Sequence, residues 1–167
     1  IPLRPFRPFI ARMLLGVGVL ALAALLIPEA RPAGSAPRKL WALLVSGQNN
    51  HNWQLTTPHI ERFLESTGRF EVNTTEDPGT YMADAKNLAR YDVLVLNYNG
   101  GRWGAAADAN FLAAIRGGTG VTVIHAANNA HSGWVEYDKI IGIGWRQTAG
   151  HGAYHPFDVK YLIKDHP

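Results

Sequence analysis

The chain has 167 residues, with 16 Lys and Arg against 13 Asp and Glu, seven histidines and no cysteine. That length allows one compact domain and a short extension, and 47% hydrophobic with 17% charged residues suits a packed core. The missing cysteine excludes disulfide frameworks, cysteine zinc ribbons, iron–sulfur clusters, lipoprotein anchors and cysteine nucleophiles.

The formal charge of +3 is local. Residues 1–36 hold Arg4, Arg7, Arg12 and Arg31 with Glu29 as the sole acid, whereas residues 37–167 hold 12 basic and 12 acidic residues. The first 36 residues read as an export signal. A basic start precedes an uncharged apolar run over residues 13–27, then Pro28 and small residues. Fifteen apolar residues fall short of the ~20 that span a bilayer. Ala33 and Ser35 offer small side chains for cleavage before Ala36; an uncleaved anchor is the alternative. There is no twin-arginine pair. The expected location is therefore periplasmic or extracellular, and residues 37–167 form the expected working domain. Both ends read as truncated, the first residue being Ile1 and the last three Asp165-His166-Pro167.

Residues 39–46 (KLWALLVS) are a continuous apolar run, the pattern of a strand buried on both faces. A polar loop follows as far as Trp53. Thr57-Pro58 reads as a helix start, hydroxyl cap then proline. Ile60, Phe63 and Leu64 give the helix an apolar face and Gly68 ends it. Residues 70–73 (FEVN) form a short second strand, and residues 81–90 a short helix. Residues 93–96 (VLVL) are a third strand, and 105–116 a helix with Phe111, Leu112 and Ile115 inward. Residues 121–124 (VTVI) are a fourth strand running into His125, followed by a helix over 135–141. The alternating run 157–163 (FDVKYLI) reads as a fifth, edge strand. Strand and helix alternate throughout, which predicts an α/β, doubly wound parallel sheet in a three-layer sandwich.

Ligands of such sheets bind beyond the carboxyl ends of the strands. Those ends carry His51, His125, His131, His151 and His155, with Trp53, Trp103 and Trp134. Neutral imidazole can bind a metal or act as a general base near pH 7. His151 and His155 are four residues apart, but Gly150, Gly152 and Pro156 put them on a loop. Histidines that merely hydrogen-bond within a polar cleft are the plainer alternative. Asn49, Asn50, Asn97, Asn99, Asn128 and Asn129, with Trp53, Trp103, Trp134 and Tyr137, would converge on the same rim. Indole faces stack on sugar rings and amides pair with hydroxyls, so the set suits a polyol; each Asn alone is equally at home in a turn.

Other chemistries find little support. Gly117-Gly118-Thr119-Gly120 precedes a strand, the wrong end for phosphate, and Gly47 lacks a dinucleotide fingerprint. His125-Ala126-Ala127 follows the fourth strand where an amidotransferase would carry cysteine, and Ser132 lies beyond any nucleophile elbow. A neutral working domain argues against nucleic-acid binding.

The runs LLVSGQNNHNW, YDVLVLNYNG, GTGVTVIHAANNAHSGWVEYDKIIG and GHGAYHPFDVKYLIKDHP resemble the ThuA-like (trehalose utilisation) family over residues 40–167. The resemblance implies a flavodoxin-like fold related to class I glutamine amidotransferases without their glutaminase cysteine. It also implies a link to disaccharide catabolism through 3-keto-sugars, and a family domain that continues beyond the DHP motif. Carried onto this chain, its cleft positions are His51, Asn97, His125, Trp134, Tyr137, His151 and His155.

The expectation is an exported enzyme acting on a keto-sugar or glycoside by proton transfer next to a carbonyl, with isomerisation or bond cleavage. His51 or His125 would move the proton. His151 and His155 would polarise the carbonyl, or hold a divalent metal such as zinc together with His125. Asn50, Trp53, Asn97, Asn99, Asn128, Trp134 and Tyr137 would bind the sugar. A non-catalytic sugar-binding module is the other reading. The partner expected is a small-molecule carbohydrate; a homo-oligomer stays open.

Overall fold

The computed structural model describes residues 38–165. The expected export segment, residues 1–36, lies outside them. Four parallel strands make one sheet in the order β2-β1-β3-β4: β1 (Leu40–Val45), β2 (Phe70–Thr75), β3 (Val93–Leu96) and β4 (Gly120–Val123). The connections carry α1 (Trp53–Ser66), α2 (Pro78–Ala83) and α3 (Ala105–Arg116); α4 (Val135–Ile141) follows β4. The expected α/β class and doubly wound topology are what the chain adopts.

Alternation along the central strands builds the three layers, because successive side chains point to opposite faces. Leu43, Val45, Leu94 and Leu96 face Met82 of α2, Ala107 and Phe111 of α3, and Tyr137 of α4. Ala42, Leu44 and Val95 face Ile60 and Leu64 of α1.

Several expectations are corrected. Helix α1 starts at Trp53, with Asn52 as its cap accepting from the Leu55 amide at 3.1 Å. Pro58 therefore sits inside the helix. Thr57 is buried and bonds Ser46 Oγ at 2.6 Å, so its hydroxyl serves the sheet and not the helix end. Phe63, expected on the inner face, is exposed, while Ile60 and Leu64 pack inward.

The helix expected over 81–90 instead starts at Pro78, capped by the Asp77 side chain at 3.1 Å. It stops at Asp84, which turns extended and caps a 3-10 turn, Ala85–Asn87. The fifth strand is absent among the described residues. Residues 157–163 pair with no strand, and Phe157, Val159, Tyr161, Leu162 and Ile163 are each at least 66% exposed. An alternating pattern marks a strand with one buried face, but a ladder needs a neighbour, and this run has none.

Candidate functional site

The carboxyl ends of β1, β3 and β4 are stitched into one rim. Gly47 follows β1 with φ +99°, and a Cβ there would run into the backbone of Glu76, so only glycine fits the turn. The next loop then docks on the end of β3. Asn49 Nδ2 donates to the Asn97 carbonyl at 3.1 Å, and the Asn99 amide donates to the Gln48 carbonyl at 2.8 Å. Asn99 Nδ2 donates to Asn50 Oδ1 at 2.8 Å. Asn49 Oδ1 accepts from the His51 amide, which aims the His51 ring across the sheet end.

From β4 the chain turns sharply. His125 opens a 3-10 turn, His125–Asn129, in a left-handed conformation with φ +45°. A non-glycine residue there is strained by roughly 1–3 kcal/mol, a cost that recurs at functional sites. The strain presents the His125 ring to His51. Their Nε2 atoms lie 3.1 Å apart, with both residues exposed to solvent.

Two cavities meet at this pair. One, of about 350 Å³, is lined by Asn50, Asn99, Asn128 and Asn129 beside the two imidazoles, with Trp145 and His151. The other, of about 460 Å³, runs along α1 past Leu55, Ile60 and Ile124 to Asn97. The structure thus brings His51, His125, His151, Asn50, Asn99 and Asn128 to one cavity and Asn97 to its neighbour.

The remaining expected residues go elsewhere. Trp53 opens α1 and lines neither cavity. His155 Nδ1 lies 2.6 Å from the Pro156 carbonyl, and its ring lines an outer hollow with Tyr154 and Phe157. Trp134 and Tyr137 are core residues. The Arg102 guanidinium caps the Trp134 ring at 3.9 Å from its centroid, which takes that face from any sugar. Tyr137 donates its hydroxyl to the Ala127 carbonyl at 2.8 Å, tying α4 to the 3-10 turn, and burial pushes its phenol well above the usual range. Among the described residues, no three His, Cys, Asp or Glu side chains converge on a metal position, so His125, His151 and His155 do not form one set.

His131 is also not at the cavity. It is 1% exposed and ringed by Tyr98, Trp103, Trp134 and Tyr137. Neither ring nitrogen makes a well-formed hydrogen bond among the described residues, although the Gly101 backbone lies close enough to act on the ring. Burial pushes its imidazole down to about 4, with Gly101 and Asp108 pulling weakly the other way.

Two residues were invisible to sequence reasoning. Trp145 packs at a tilt against His151, ring centroids 4.7 Å apart, and walls the amide-lined cavity. Arg146 holds it there: Nη1 donates to the Asn128 and Trp145 carbonyls, at 3.0 and 2.8 Å, and Nη2 pairs with Asp138 of α4. The only hint is an aromatic-arginine pair in a glycine-broken loop after a helix.

The family model described as trehalose utilisation, ThuA, matches residues 42–167. A ThuA-like protein of Parabacteroides merdae ATCC 43184 has a solved structure similar to this chain, with 34% identity and TM-score 0.59. The match covers 66% of this chain and 40% of that one. A ThuA-like protein of Bacteroides uniformis ATCC 8492, at 21% identity and TM-score 0.51, covers 68% of this chain and 48% of its own and shares the fold. This chain thus spans less than half the length of either protein. No curated protein matches it. With its sheet, its cysteine-free strand end and a match over most of its length, the chain belongs to the ThuA family, on the class I glutamine amidotransferase-like fold.

Proposed function

We propose that this domain processes a keto-sugar or keto-glycoside by moving a proton on a carbon next to the carbonyl. The observation that carries the reading is the His51–His125 pair, Nε2 to Nε2 at 3.1 Å, on the wall of an amide-lined cavity. In such a pair one Nε2 carries a proton while the other offers a lone pair. A substrate carbon acid placed against the lone pair loses its proton to that imidazole. The electron pair moves into the carbonyl as an enediolate, and the partner imidazole gives its proton to the oxygen. Reversal exchanges the proton; reprotonation at the neighbouring carbon isomerises the sugar. Asn50, Asn99 and Asn128 supply donors and acceptors for hydroxyls, and Trp145 supplies the flat apolar wall expected of Trp53 and Trp134. The family description supports a carbohydrate as ligand.

The test is a 3-keto-glucoside incubated with the protein in heavy water and followed by proton NMR. Loss of the signal next to the carbonyl is expected, at a rate above that of buffer. No exchange, isomerisation or cleavage, with or without added zinc, removes the proposal. Zinc belongs in the test because His125 and His151 share a cavity wall. The amide set also favours a second reading, a sugar-binding module. It gains if His125→Ala and His151→Ala leave binding and turnover unchanged. Export is proposed from residues 1–36 alone; N-terminal sequencing of protein recovered from the periplasm, beginning at Ala36, would bear it out.

A further inference from the structure

The amide-lined cavity accounts for only one side of the imidazole pair. Its neighbour shares His51, His125 and Ala126 and has a different chemistry. Its surface is mostly apolar, from Leu55 and Ile60 of α1, Ile124 after β4, and Ala126, with Asn49, Thr56 and His59 completing the lining. Its volume, about 460 Å³, is the larger of the two, against about 350 Å³. Its one buried polar residue is Asn97. Asn97 is 4% exposed, and its Nδ2 donates to Thr56 Oγ1 and Thr57 Oγ1, both at 3.1 Å. Thr57 is itself held by Ser46. The amide nitrogen is spent on the protein, so what Asn97 has left to offer a ligand is an acceptor oxygen. A molecule lying across the pair therefore meets hydroxyl-binding amides on one side. On the other it meets a wall that is mainly apolar, with few polar groups.

We infer that the substrate is a glycoside with an apolar aglycone, aryl or alkyl, whose sugar lies among Asn50, Asn99 and Asn128 and whose aglycone lies between Leu55, Ile60 and Ile124. This rests on the carbohydrate reading and sharpens it. A disaccharide fits the apolar side poorly, since its second ring would press most of its hydroxyls on aliphatic side chains that offer them no partners. A phenyl ring buried there gains what burial of a phenylalanine side chain gains, roughly 10- to 100-fold in affinity.

The experiment is calorimetric titration of the full chain with methyl 3-keto-glucoside, phenyl 3-keto-glucoside, 3-ketotrehalose and phenol. Phenyl 3-keto-glucoside should bind at least 10-fold tighter than the methyl compound and than 3-ketotrehalose. Phenol should bind weakly on its own. Leu55→Asp, at a 57% exposed position in the first turn of α1 where a carboxylate suits the helix N-terminus, should remove the phenyl advantage and phenol binding. It should leave the methyl compound unaffected, which also shows that the variant is folded. Equal affinity for the methyl and phenyl compounds, or a phenyl advantage that survives Leu55→Asp, overturns the inference and leaves the carbohydrate reading standing. Phenol binding abolished by Leu55→Asp with no sugar binding at all retains the apolar subsite and sinks the carbohydrate reading.

Discussion

At the residue scale, three histidines at strand ends have three different fates. His125 is strained and exposed, His51 meets it, and His131 is sealed among aromatic rings. Position after a strand tells which end of the sheet a residue occupies, not how deep it lies. That is why His131, Trp134 and Tyr137 looked like rim residues in the sequence, while Trp145, beyond α4, did not. The sealed His131 makes a prediction. Its folded value, about 4, lies below the ordinary 6.5, so the unfolded chain binds more protons between those values. Stability is therefore full above pH 6.5 and falls as pH drops from 6.5 to 4, by up to about 3 kcal/mol. Urea unfolding at pH 7 and pH 4.5 measures it. His131→Phe should flatten that slope, because an unpaired buried imidazole gives way to an apolar ring of similar size. An unchanged slope would assign the acid sensitivity to another group.

At the element scale, the parallel strands were legible because runs such as VLVL admit no solvent face. Helices α3 and α4 were legible because glycine closes each of them. The start of α1 was not. Thr57-Pro58 has the form of a cap, but its hydroxyl is taken by Ser46 and Asn97, and Asn52 caps the helix. Asn52→Ala should cost about 1 kcal/mol, as loss of a cap does. Thr57→Val should cost as much or more, about 1–3 kcal/mol, because Ser46 and Asn97 lose a buried partner. Equilibrium unfolding of the two variants separates these roles; a neutral Thr57→Val would contradict the sheet-side role. The loop after α4 depends on Arg146 in the same way. Arg146→Met should lower the melting temperature and weaken sugar binding, since Trp145 and the Asn128 segment lose their shared tie. Wild-type binding in that variant would detach Arg146 from the site.

At the scale of the whole molecule, a four-stranded sheet places both cavities at one end, and residues 157–163 lie outside the ladder. The alternating FDVKYLI run looked like a strand because local pattern is all a sequence shows, whereas a strand needs a neighbour. Hydrogen exchange should find these amides unprotected within seconds and those of β1 and β3 slow. Strong protection at 157–163 would show a pairing the fold lacks. The site itself was half legible: the histidines that line the cavity, His51, His125 and His151, could be named, but not that two of them touch. The proposed chemistry requires His51 and His125 to act as a unit. Its most direct test compares deuterium exchange into a 3-keto-glucoside by wild type, His51→Ala, His125→Ala and the double variant. Groups that act together are non-additive. Each single change should cost roughly 100-fold or more, and the double little beyond either. Independent, multiplying losses, or single variants that exchange at the wild-type rate, would contradict it.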